Sequence, residues 1–164
     1  MDMNSNMPAF FKPQDIEGTV AMTALKCAVN LLTSAKNMYF DGDDTNCEPV
    51  TLLICTVTVA TQPIADHDEL HSRFFEVEAM LRVVETAADA SLHPHRRGLL
   101  ACARNLCEAG RKVADGGFGL ASDQIWPEQM LNLLMPFMPD QVEVLGERIS
   151  AERARRQTTE AQHG

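Results

Sequence analysis

Basic residues are scarce in this chain: 14 Lys and Arg stand against 23 Asp and Glu, a formal net charge of −9. A field of that sign repels phosphate backbones and anionic lipid surfaces, so neither nucleic acid nor membrane is an expected partner. The acids are scattered along the chain and mix with arginine in the last third, which also argues against a DNA mimic. Aromatic residues make up only 5%, so any core must be aliphatic. Five cysteines include no Cys-x-x-Cys pair, which excludes a zinc ribbon and suits no disulfide framework; a reducing cytoplasm is the expected compartment. Cys27, Cys55, Cys102 and Cys107 sit among apolar neighbours as core fillers do, which leaves Cys47, in the polar stretch "DGDDTNCEP", as the only expected exposed thiol.

Long apolar runs are missing too. The longest, such as "VTLLICTVTVA", fall short of the ~20 residues a membrane-spanning helix needs. The opening "MDMNSNMPAFFKPQD" lacks the basic and apolar regions of an export signal and is broken by Pro8 and Pro13. There is no dinucleotide fingerprint, no Gly-x-Ser-x-Gly elbow and no internal repeat. "DGGFG" at 115–119 lacks the Lys-Ser/Thr of a phosphate loop and has no preceding strand, so it reads as a helix stop.

What is present is helical periodicity. At 164 residues the chain is long enough to bury a core as one domain. Residues 1–14 read as a disordered leader, 15–158 as a helical domain and 159–164 as a frayed tail. Ile16, Val20, Leu25, Ala28, Val29, Leu32 and Ala35 mark a helix over about 15–38. Over 66–90, Leu70, Phe74, Val77, Leu81, Val84 and Ala88 alternate steps of four and three, with Arg73, Glu76, Arg82 and Glu85 assigned to the solvated side. After "SLHPHRR" the same stepping returns in Leu99, Ala103, Leu106, Gly110 and Val113. Two matching seams joined by a short turn predict an antiparallel helical hairpin. Gly110 on the second seam suits a close helix approach.

The stretch 50–61 supports two readings. Thr56, Val57, Thr58 and Val59 alternate as a strand would, while Leu53, Thr56, Val57, Ala60 and Ile64 follow helical spacing between Pro49 and Pro63. The predicted fold class is therefore all-α, a small bundle of five or six helices on that hairpin, with helix favoured over a short β segment at 50–61. Pro127 opens a short helix that Pro136 breaks, and Asp140 with Glu143 has capping-box spacing for a last helix carrying Val142, Leu145 and Ile149 on one face.

The one metal-like motif is "HDELH". His67 and His71 stand one helical turn apart and could grip a divalent cation. The zinc-protease pattern requires Glu where Asp68 stands, and no third ligand follows at a recognised spacing. Asp66 and Glu69 meanwhile have the spacing of a capping box, so the motif also marks the start of a helix. His93 and His95 belong at the far end of that helix, roughly 30 Å away at 1.5 Å per residue.

The remaining feature is an apolar, methionine-rich segment holding Met130, Leu131, Leu134, Met135, Phe137 and Met138. Methionine adapts its shape to partner surfaces, so these six residues are the expected partner-binding site, with a second subunit as an expected cover. The expected function is a non-enzymatic regulator, adaptor or chaperone-like binder, homodimeric and without a cofactor. A metal-binding domain or metal-dependent enzyme centred on His67 and His71 is the alternative.

Overall fold

A computed structural model describes residues 15–40, 48–88, 94–115 and 125–163; the expectations for the leader, for Cys47, for "DGGFG" beyond Asp115 and for His93 lie outside them. Among these described residues six helices follow one another: α1 (Ile16–Phe40), α2 (Glu48–Ala60), α3 (His67–Ala88), α4 (Pro94–Asp115), α5 (Pro127–Leu134) and α6 (Pro139–His163). No strand occurs among the described residues, and the chain is the all-α bundle its periodicity predicts.

α1 is the central element and touches every other helix, most extensively α4. Its composition permits this, because Ala21, Ala24, Ala28 and Ala35 are buried beside Val20, Leu25 and Leu32, and small side chains let several neighbours approach at once. Asp15 starts it: its Oδ1 accepts the Gly18 N–H at 2.9 Å, satisfying one of the unpaired donors of the first turn. At the other end Arg96 of α4 donates to the Met38 carbonyl at 2.5 Å, placing a cation against the negative pole of α1.

The 50–61 stretch is helical, not a strand. Leu53, Thr56, Val57, Ala60 and Ile64, the set at helical spacing, are all buried against α1 and α3. Its threonines lose their main objection to the helix by donating backwards: Thr56 to the Leu52 carbonyl at 2.8 Å and Thr58 to that of Ile54 at 2.9 Å. A strand here would have had no partner strand among the described residues.

α3 and α4 pack together as the predicted hairpin. On α3 the seam of Leu70, Phe74, Val77, Leu81 and Val84 is fully buried. On α4 burial extends beyond the predicted seam to Leu100 and Cys107, since α4 faces α1 as well as α3 and needs a wider apolar arc. Gly110 sits where these three helices meet. A Cβ there would lie 2.8 Å from Cζ of Phe74 and 3.1 Å from Cβ of Ala24, so only glycine allows the approach.

Arg73 corrects the sequence reading. Assigned to the solvated side of α3, it is only 4% exposed, and it donates to the Gln62 carbonyl at 2.6 Å and the Pro63 carbonyl at 3.3 Å. Those carbonyls belong to the α2–α3 connection, which bends over α3 and needs an internal donor because Pro63 cannot continue the α2 ladder.

Pro127 opens α5 as predicted, and residues 135–137 form the turn into α6. α6 starts at Pro139, one residue before the predicted Asp140 cap, with the Val142 N–H bonded to the Met138 carbonyl at 3.0 Å. Asp140 therefore falls inside the first turn, where its charge still suits the dipole. Val142, Leu145 and Ile149 are buried on one face. The helix then continues through the expected tail as far as His163.

Candidate functional site

The "HDELH" stretch begins α3. The Asp66 carboxylate accepts the Glu69 N–H at 2.9 Å, and the Glu69 carboxylate reaches back to the Ala65 N–H at 2.6 Å while standing 3.6 Å from Arg73. Both carboxylates thus serve the helix start, in a variant of the capping box that closes one residue earlier than the standard form. His67 is the first helical residue, and its Nε2 lies 3.5 Å from Oδ1 of Asp15, the residue that starts α1. His71 packs edge-on against Phe75, ring centroids 4.9 Å apart. Among the described residues no group of three His, Cys, Asp or Glu side chains is placed to hold a metal ion.

Phe75 continues this surface onto α4. The Arg111 guanidinium lies 4.6 Å above its ring and pairs through Nε with Glu78 at 3.0 Å. Below it Cys107 is fully buried, and burial, followed by the nearby Glu78 and Cys27, pushes its thiol up to about 12. Cys27, across on α1, is raised to about 11 by burial and by Cys102. Neither thiol is a nucleophile at neutral pH.

The six residues of the methionine-rich segment divide by direction. Met130 and Leu134 are fully buried, and Leu131 and Met138 are half-buried against the same core. Met135 is 50% and Phe137 41% exposed, joined by Leu133 at 44%, a residue of the same apolar segment that was not among the six. The reason is geometric: Met130 and Leu134 share one side of α5, whereas Met135 and Phe137 lie in the turn after it, where helical periodicity no longer governs direction.

A third region gathers where α1, α5 and α6 meet. A cavity of about 220 Å³ is lined by Ile16, Trp126, Pro127 and Ile149 together with Glu17 and Arg156. Arg156 grips Glu17 with both terminal nitrogens, at 3.2 and 3.4 Å, and its Nε lies 3.0 Å from Glu152. Arg153 pairs with Glu128 on α5. The Glu152 carboxyl is held down to about 2, first by hydrogen bonding from Arg155 and then by Arg156. Glu17 and Arg156 are separated by 139 positions, so no local pattern in the sequence could have paired them.

Compared with known proteins, the chain matches no family model, no curated protein and no solved structure. Among the described residues no helix is long and apolar enough to cross a membrane. What the fold defines is the class, an all-α bundle whose candidate surfaces are an apolar turn and a charged three-helix junction.

Proposed function

We propose that this chain is a non-enzymatic protein–protein interaction module of the cytoplasm, a homodimeric regulator, adaptor or chaperone-like binder that contacts its partner through the α5–α6 turn. The observation that carries this reading is the exposure of Leu133, Met135 and Phe137 within five consecutive positions. Large apolar side chains grouped in this way on a surface are the usual mark of a contact site. Met130 and Leu134, buried on the other side, anchor the turn to the core, so its apolar side chains are presented from a fixed base, which lowers the ordering cost of binding. A turn of this kind, placed against itself across a two-fold axis, is also what a homodimer would bury.

Native mass spectrometry of the untagged protein, with co-purification of its partner, tests the reading against a Met135→Asp/Phe137→Asp double variant. A metal-free dimer is expected, with dimer or partner lost in the double variant while the far-ultraviolet circular dichroism is unchanged. Retention of both by the double variant would sink the proposal. A stoichiometric metal that disappears in His67→Ala would transfer the function to the start of α3.

A further inference from the structure

α6 is two helices in one as far as attachment is concerned. Its first half is fixed by Val142, Leu145 and Ile149, all buried. After Ile149 no residue of the helix is buried and only Glu152 is half-buried. A helix that is polar on every side has no apolar face to hold it down, and a stretch of this length is marginal on its own in water. What joins the second half to the rest of the molecule is charge. Arg156 grips Glu17 at the start of α1, and Arg153 pairs with Glu128 at the start of α5. Among the described residues Arg155 pairs only within α6, with Glu152.

Beneath these ties lies the cavity of about 220 Å³, floored by Ile16, Pro127 and Ile149, with Trp126 at its edge. We propose that residues 150–163 form an electrostatic latch: closed at low ionic strength by Arg156–Glu17 and Arg153–Glu128, opened by salt, and uncovering the apolar floor of the α1–α5–α6 junction when it lifts. The physical basis is the exposure of the ties. The Arg156 and Arg153 side chains are half-exposed, and such pairs contribute little and are screened. The screening length falls from about 10 Å at 0.1 M salt to about 3 Å at 1 M, while burial of Val142, Leu145 and Ile149 is not weakened by simple salt. The hinge therefore falls just after Ile149. This inference is independent of the α5–α6 turn and stands or falls apart from it.

Trp126 is the chain's only tryptophan and is 54% exposed at the rim of the cavity, so its fluorescence reports on the latch directly. Acrylamide quenching of the full chain would be compared at about 50 mM and about 1 M sodium chloride. The quenching constant should rise with salt by up to about twofold, the ceiling set by a side chain already 54% exposed. Arg156→Gln should raise the low-salt value part of the way to the high one and shrink the salt response, since Arg153–Glu128 remains; Arg155→Gln, which cuts only a tie within α6, should behave as the wild type. Hydrogen exchange provides the second readout, with residues 150–163 losing protection in Arg156→Gln while 142–149 keep theirs. A quenching constant that ignores both salt and Arg156→Gln overturns the proposal. So does an Arg155→Gln variant that mimics Arg156→Gln, since that result would mean a general weakening of the helix.

Discussion

Glu78 of α3 and Arg111 of α4 are joined at 3.0 Å, and one heptad along α3 and one heptad back along α4 Glu85 and Arg104 repeat the contact at the same distance. The repeat fixes the register of the hairpin, because sliding α4 by one residue would break both pairs together. The two differ in burial. Glu78 retains 8% side-chain exposure and Arg111 20%, whereas Glu85 and Arg104 retain 29% and 27%.

That difference predicts unequal costs. Arg111→Met leaves a nearly buried carboxylate without its cation and should destabilise the fold by about 3 kcal/mol, the scale for one partner removed from a buried pair. Arg104→Met, at a wetter site, should cost about 1 kcal/mol or less. Urea titrations of the two variants would settle the order, and equal midpoints would refute the burial argument.

The two glycines of α4 should respond in opposite directions to the same substitution. At Gly98 an added Cβ meets nothing within 4 Å, so Gly98→Ala should stabilise by about 0.5–1 kcal/mol through helix propensity alone. At Gly110 the Cβ would stand 2.8 Å from the buried Phe74 ring, which cannot swing away. Overpacking of about 1–3 kcal/mol should then exceed the propensity gain, and Gly110→Ala should unfold at lower urea. A stabilised Gly110→Ala protein would mean that α1 and α3 can move apart.

How far the sequence carried these conclusions depends on whether the cause was local. The seam of Leu70 to Val84 and the helix spacing from Leu53 to Ile64 were legible because one repeated contact face sets them. The choice of helix over strand at 50–61 was closer, since Thr56 and Thr58 favour strands until their hydroxyls find carbonyls one turn back. Arg73 was misplaced because its angular position on α3 is ambiguous and its partners, the Gln62 and Pro63 carbonyls, come from a bend that periodicity does not describe. The methionine-rich segment was legible as apolar but not in its division, which depends on where α5 stops.

That division makes its own prediction. Met130→Ala, a truncation in the packed interior, should cost about 2–5 kcal/mol. Met135→Ala and Phe137→Ala, on exposed side chains, should change stability by about 0.5 kcal/mol or less while weakening any contact made through the turn. Thermal melts paired with a binding or dimerisation assay separate the two effects. A large stability loss in Met135→Ala would show that the turn is structural.

The buried thiols predict an alkaline limit. An ordinary cysteine titrates near 9.0, but Cys27 is raised to about 11 and Cys107 to about 12. The folded state therefore holds protons that the unfolded state gives up, so stability is complete below pH 9.0 and declines as pH rises from there towards 11. The urea midpoint should be level between about pH 7 and 8.5 and fall above it. Alkylation at pH 8 should follow the same geometry: Cys55, grouped with the core fillers by its neighbours in sequence, is in fact exposed and should react in the native protein, whereas Cys27 and Cys107 should react only after denaturation. Modification of Cys107 in the folded protein at a rate matching Cys55 would mean that the α1–α4 interface opens far more readily than its packing implies.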